Sequence, residues 1–141
     1  MQQTMIHMKI LTKSLFITLL TIALFACGKN EGKIPGIQFK TDGGYIYEST
    51  EINPNTSFQI GLTCFKTQKA ALTKFTISKT IDQSSSIEIL SQTLKRKDKD
   101  TYSYNFIGTS GSVSGQKEKY IFTITDKYGL KNEVYLTLTV K

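Results

Sequence analysis

Ser57-Phe-Gln-Ile-Gly-Leu-Thr-Cys-Phe-Lys66 decides the fold class. Phe58, Ile60, Leu62 and Cys64 fall at every second position, with Gln59, Gly61 and Thr63 between them. A strand sends successive side chains to opposite faces, so this run has one apolar and one polar face. Cys64 lies on the apolar stripe, which predicts a buried structural thiol rather than a nucleophile.

The same period recurs on both sides of that stretch. Ile37-Gln38-Phe39 and Tyr45-Ile46-Tyr47 are short strand-like pieces, separated by the turn cluster Asp42-Gly43-Gly44. Asn53-Pro54-Asn55 is a second turn. Residues 73–79 place Phe75 and Ile77 together, and residues 87–94 are expected to turn Ile87, Ile89 and Leu94 inward. Tyr102, Tyr104 and Phe106 form a further row, as do Tyr120, Phe122 and Ile124. Val134, Leu136, Leu138 and Val140 form the last. Asp126-Lys127-Tyr128-Gly129 joins the final two rows, with Asp able to cap the backbone and Gly tolerating positive φ. No segment has helical periodicity. About seven to eight one-sided strands predict an all-β protein, an antiparallel β-sandwich in which two sheets share one core.

Upstream of the strands, Lys9 and Lys13 precede Ser14 to Phe25, twelve residues of which nine are apolar. That run is short of the roughly 18 apolar residues a spanning helix needs, and it suits the apolar core of an export signal. A buried apolar helix and an ordinary secretory signal are the competing readings. Leu24-Phe25-Ala26-Cys27 resembles the bacterial lipobox, with Leu24 three residues before the cysteine and Ala26 one before; Phe25 departs from the pattern, where a smaller residue is usual. The resemblance implies peptidase recognition at Leu24 and Ala26 and lipidation of Cys27. Met8 is the more typical start for such a leader, leaving residues 1–7 as an upstream extension. The expected organisation is a signal peptide over 1–26, a lipidated cysteine with a flexible tether over 27–36, and one domain over 37–141. Gly28 after the cysteine resembles the pattern sorted to the outer membrane, facing the periplasm or the cell surface.

Removal of the leader takes Lys9 and Lys13 from the 18 basic residues, leaving 16 against 11 acidic ones, a net charge of +5 on 115 residues. That length suits a single domain. The interleaved charge reads as a solvated surface, with attraction to anionic lipid or polysaccharide as the alternative. No basic helix or aromatic-basic repeat points to nucleic acid. With Cys27 acylated, Cys64 stands alone and no intrachain disulfide forms.

Two longer stretches extend the resemblance. Lys119-Tyr-Ile-Phe-Thr-Ile-Thr-Asp-Lys-Tyr-Gly129 and Val134-Tyr-Leu-Thr-Leu-Thr-Val140 are similar to the closing hairpin of bacterial immunoglobulin-like domains. Tyr45-Ile-Tyr47, Asn53-Pro-Asn-Thr-Ser-Phe58 and Leu72-Thr-Lys-Phe-Thr-Ile77 resemble small Bacteroidetes-type lipoproteins of unknown function. The resemblance implies an immunoglobulin-like sandwich with a tyrosine-corner role for Tyr120, its hydroxyl bonding back to the preceding loop. The antibody-type core is absent, since Phe122 stands where a second cysteine would and the chain has no tryptophan.

Catalytic chemistry finds little to work with. The only histidine, His7, lies in the leader, and the acids Glu48, Glu51, Asp82 and Glu88 are scattered. Asp98 and Asp100 have calcium-like spacing but supply two ligands where six or more oxygens are needed, so they read as a solvated loop. No cofactor or metal is expected. Two functions are. One is a protein-interaction or accessory module held at the membrane by its lipid, using an exposed sheet edge. The other is glycan binding through exposed tyrosines, with Tyr45, Tyr47 and Tyr135 as the ligand-facing candidates, because sugar rings stack on aromatic faces.

Overall fold

The computed structural model describes residues 33–67 and 70–141. Eight strands form two sheets: β1 (Gly36–Phe39), β2 (Thr50–Ile52), β3 (Ser57–Phe65), β4 (Leu72–Ile81), β5 (Ile87–Thr93), β6 (Thr101–Thr109), β7 (Lys117–Asp126) and β8 (Lys131–Val140). The smaller sheet has the order β1-β3-β6 and the larger β2-β8-β7-β4-β5. This is the immunoglobulin-like division, with the N-terminal edge split between both sheets. A single 3-10 turn, Arg96–Asp98, interrupts the charged loop before β6 and buries nothing.

The alternating rows meet between the sheets. Phe58, Ile60, Leu62 and Cys64 of β3 face Phe75 and Ile77 of β4, Tyr120, Phe122 and Ile124 of β7, and Leu136 and Leu138 of β8; all belong to one core cluster. Its centre is aromatic. Phe106 packs on Tyr120 and Phe122, with ring centroids 5.4 and 6.1 Å away, and Phe39 meets Phe122 edge-on at 6.0 Å. Edge-to-face and tilted contacts of this kind add about 0.5–1.5 kcal/mol each beyond their buried area. Gly108 completes the fit, for a Cβ there would meet the Phe58 ring at 2.5 Å.

Three local expectations are corrected. Tyr45-Ile46-Tyr47 is not a strand; the strand of that region is Thr50–Ile52. It pairs with β8 in parallel, Ile52 beside Val140, so the sandwich is not wholly antiparallel. The crossover from one sheet to the other brings β2 to the free side of β8 running the same way. Ile87 and Ile89 are not buried: they are 64% and 43% exposed, whereas Leu90 packs on the core. A β-bulge accounts for Ile89, because the register with β4 jumps from Ile77↔Leu90 to Ser78↔Glu88 and leaves Ile89 unpaired, while Ile87 returns to the inner row opposite Lys79 where that row emerges from cover.

Contacts with the sandwich begin before residue 37. Pro35 is buried, its carbonyl accepts from Asn132 Nδ2 at 2.9 Å, and the carbonyls of Lys33 and Ile34 accept from the Thr67 hydroxyl. The β7–β8 turn follows the sequence reading: Asp126 Oδ1 accepts from the backbone N–H groups of Tyr128 and Leu130, and Gly129 has φ +80°.

Candidate functional site

The strand order leaves β5 at an edge of the larger sheet. Among the described residues its ladder partner is β4 alone, and its opposite side is unpaired. Proteins usually blunt such edges with lysine, proline, inward charge or a β-bulge, and of these the bulge at Ile89 is present on β5. β5 has neither lysine nor proline, and Glu88 is its one charge. Leu90, Gln92 and Leu94 turn toward the core side, with Gln92 Oε1 accepting from the Tyr102 hydroxyl at 3.0 Å. That bond holds the edge against the smaller sheet. Toward the hairpin end, Ile87 lies opposite Lys79 and Ile81 follows two residues on, continuing the inner row of Phe75 and Ile77. Both emerge from cover there, Ile81 at 38% exposure and Ile87 at 64%. The result is an open strand beside three exposed isoleucines.

A buried charged cluster supports this end of the sandwich. Glu118 sits on the inward row of β7, 1% exposed. Its Oε1 accepts from Lys79 Nζ at 2.9 Å, from the Gly111 backbone N–H at 3.1 Å and from Gln116 Nε2 at 3.2 Å. Its Oε2 accepts from the Tyr120 hydroxyl at 3.0 Å. Tyr120 therefore does not reach the preceding loop itself, as a tyrosine corner would; Glu118 stands between them and joins both. Burial, then the Glu118 charge and hydrogen bond, raises the Tyr120 hydroxyl well above the ordinary phenolic range. Across the end, Asp82 takes positive φ, and its N–H and Oδ1 bond the backbone of Lys117 at 2.7 and 2.8 Å. Lys79, Glu118 and Asp82 together fix where the β4–β5 hairpin leaves the body.

Sequence reasoning missed Glu118. Its signal was positional, since it lies two residues before Tyr120 on the same row. Asp126 closes that row at the other end, 2% exposed, and no hydrogen-bond partner of its Oδ2 is found among the described residues.

The candidate tyrosines lie apart. The Tyr45 ring rests against Gly61 on the outer face of the smaller sheet. Tyr135 projects from the outer face of the larger one, 59% exposed, with Lys119 Nζ 4.1 Å from its ring centroid. Tyr47, 45% exposed, lies where the chain crosses between sheets. The three do not form one surface. A shallow depression near Tyr135 is lined by Ser49, Thr50, Glu51, Lys117, Thr137 and Thr139. Cys64 is fully buried, and burial pushes its thiol up to about 12. Asp100 pairs with Lys66 at 2.7 Å on the surface, and no group of three or more potential metal-ligating residues occurs among the described residues. Leu24, Ala26 and Cys27 lie outside the described residues, as does most of the tether.

No protein-family model and no curated protein sequence matches the chain. Solved structures resemble it in fold. A single-substitution form of the superoxide reductase (neelaredoxin) from Ignicoccus hospitalis is 8% identical with a TM-score of 0.52, over 82% of this chain and 86% of that one. A second neelaredoxin structure from Ignicoccus hospitalis is 6% identical with a TM-score of 0.50, over 77% of this chain and 81% of that one. A conjugative transposon lipoprotein from Bacteroides eggerthii is 8% identical with a TM-score of 0.47, over 76% of this chain and 98% of that one. At such identities the likeness is one of fold alone.

Proposed function

We propose that this chain is a lipid-anchored lipoprotein of the outer membrane, held through Cys27, whose immunoglobulin-like domain is a non-catalytic protein-interaction module. The supporting observation is the unpaired β5 edge flanked by exposed Ile81, Ile87 and Ile89. A partner strand adds to such an edge through main-chain hydrogen bonds, and side chains beside it supply specificity. Burying a fully exposed isoleucine contributes about 1.5–3 kcal/mol, and each of these partly exposed residues offers a partner a share of that. The sequence Leu24-Phe25-Ala26-Cys27 carries the anchoring half of the reading.

Crosslinking and recovery from intact membranes tests the interaction. A specific envelope protein is expected with the wild type and is expected to be lost with Ile87→Asp, while Tyr135→Ala retains it. Recovery unchanged by Ile87→Asp and by a charge at Ile89 refutes the β5 site. Mass spectrometry of the N-terminus tests the anchor separately, with diacyl or triacyl Cys27 expected; an unmodified Cys27 removes it.

A further inference from the structure

The outer face of the smaller sheet has no part in that reading. Two glycines on it are roofed by aromatic rings. Phe65 lies over Gly36, its direct partner across β1 and β3. Tyr45 lies over Gly61 together with the Lys40 stem, close enough that a Cβ on Gly61 would stand 2.9 Å from Tyr45 Cγ and 2.8 Å from Lys40 Cδ. Each ring thus rests on bare backbone, with Phe65 40% exposed and Tyr45 half-buried. Phe65 and Gly61 are four residues apart on β3, which separates the two ring seats by about 13 Å. The ground between them is polar, with Thr63 and Gln38 facing each other in register and Asn105 beside Gly61.

The face also has a charge sign. No outward position of β1, β3 or β6 carries an acidic residue. Lys40 holds its ammonium there, donating to Asn105 Oδ1 at 2.8 Å and 5.4 Å from the Tyr45 ring centroid, and no carboxylate pairs with it among the described residues.

We propose that this face binds an acidic oligosaccharide. The core of a protein interface joins its apolar residues into one dry patch. Here two rings stand apart with amides and hydroxyls between them, which suits an extended ligand that alternates C–H faces with hydroxyl groups. Sugar rings stack on Phe65 and Tyr45, the Gln38 and Asn105 amides and the Thr63 hydroxyl bond the sugar hydroxyls, and Lys40 takes a carboxylate. Selectivity for acidic sugars rests on that ammonium beside three strands that carry no acidic residue.

The full chain in detergent is tested for binding to polygalacturonate, alginate and hyaluronan, with dextran as the neutral control, by affinity electrophoresis and calorimetry. Binding to at least one acidic polymer and not to dextran is expected. Phe65→Ala is expected to weaken it at least tenfold while the domain still unfolds cooperatively, with a lower melting temperature because the ring covers Gly36. Lys40→Met is expected to remove the preference over dextran and the salt dependence. Ile87→Asp is expected to leave it unchanged, which separates this face from the β5 edge. No binding to any of the three acidic polymers, or affinity unaltered by both Phe65→Ala and Lys40→Met, overturns the proposal. Equal binding to dextran overturns its acidic part.

Discussion

Glu118→Ala is the substitution that most directly probes how this sandwich is held. The carboxylate is 1% exposed and is the shared acceptor for Lys79, Gly111, Gln116 and Tyr120. Removing one partner of a buried ion pair typically costs about 3–5 kcal/mol, because the other is left without compensation. Lys79 is 21% exposed and can turn its ammonium to water, which moves the expected cost to the lower end, about 3 kcal/mol. The Tyr120 hydroxyl and the Gly111 N–H have less access to solvent, and they keep the loss from falling further. For a domain of this size each kcal/mol lowers the melting temperature by roughly 4 °C, so a fall of about 12 °C is expected. Urea and thermal unfolding followed by circular dichroism measure both quantities. Repeating the substitution in a Lys79→Met background should reduce its cost by about 1–3 kcal/mol, the coupling of a direct contact. A cost below about 1 kcal/mol, or no coupling to Lys79, would refute the view that Glu118 organises this end.

Three further outcomes follow from the core. Gly108→Ala forces a methyl into the Phe58 and Phe106 rings and is expected to cost about 1–3 kcal/mol in the same unfolding assay. At high pH the domain is expected to lose stability. Burial pushes Cys64 up to about 12, and burial reinforced by Tyr104, Asp98 and Cys64 pushes Tyr102 to about 12. The unfolded chain therefore releases these protons first, from its ordinary thiol and phenol values upward, and stability falls between about pH 9 and 12. Urea midpoints across that range test the sign, and Cys64 should resist a thiol reagent at about pH 8 until denaturant is added.

Much of the fold was legible because burial is written into polarity at every second residue. The rows of β3, β6, β7 and β8 are long enough for that signal to be unambiguous, and the Asp126–Gly129 turn is dictated by local backbone chemistry. The buried state of Cys64 came from the same row. Elsewhere the sequence was ambiguous for identifiable reasons. β2 is three residues long, and its place is set by pairing with β8, which no local pattern encodes. On β5 a single bulged residue takes Ile89 out of the ladder, and Ile87 lies on the inner row where that row emerges from cover, so both isoleucines that alternation sends inward are exposed.

By itself the sequence determined an all-β sandwich, the residues of its core and the motif by which Cys27 is read as an anchor, since each rests on nearest-neighbour spacing along one chain. Only the tertiary structure decided which charged side chains are buried, which edge is open and which aromatic rings share a face. Lys79 meets Glu118 across 39 residues, and the Tyr45 ring, from a loop, finds its seat on Gly61 of β3. Those juxtapositions depend on the register between strands, a property of paired backbones that the alternation of either strand alone does not contain.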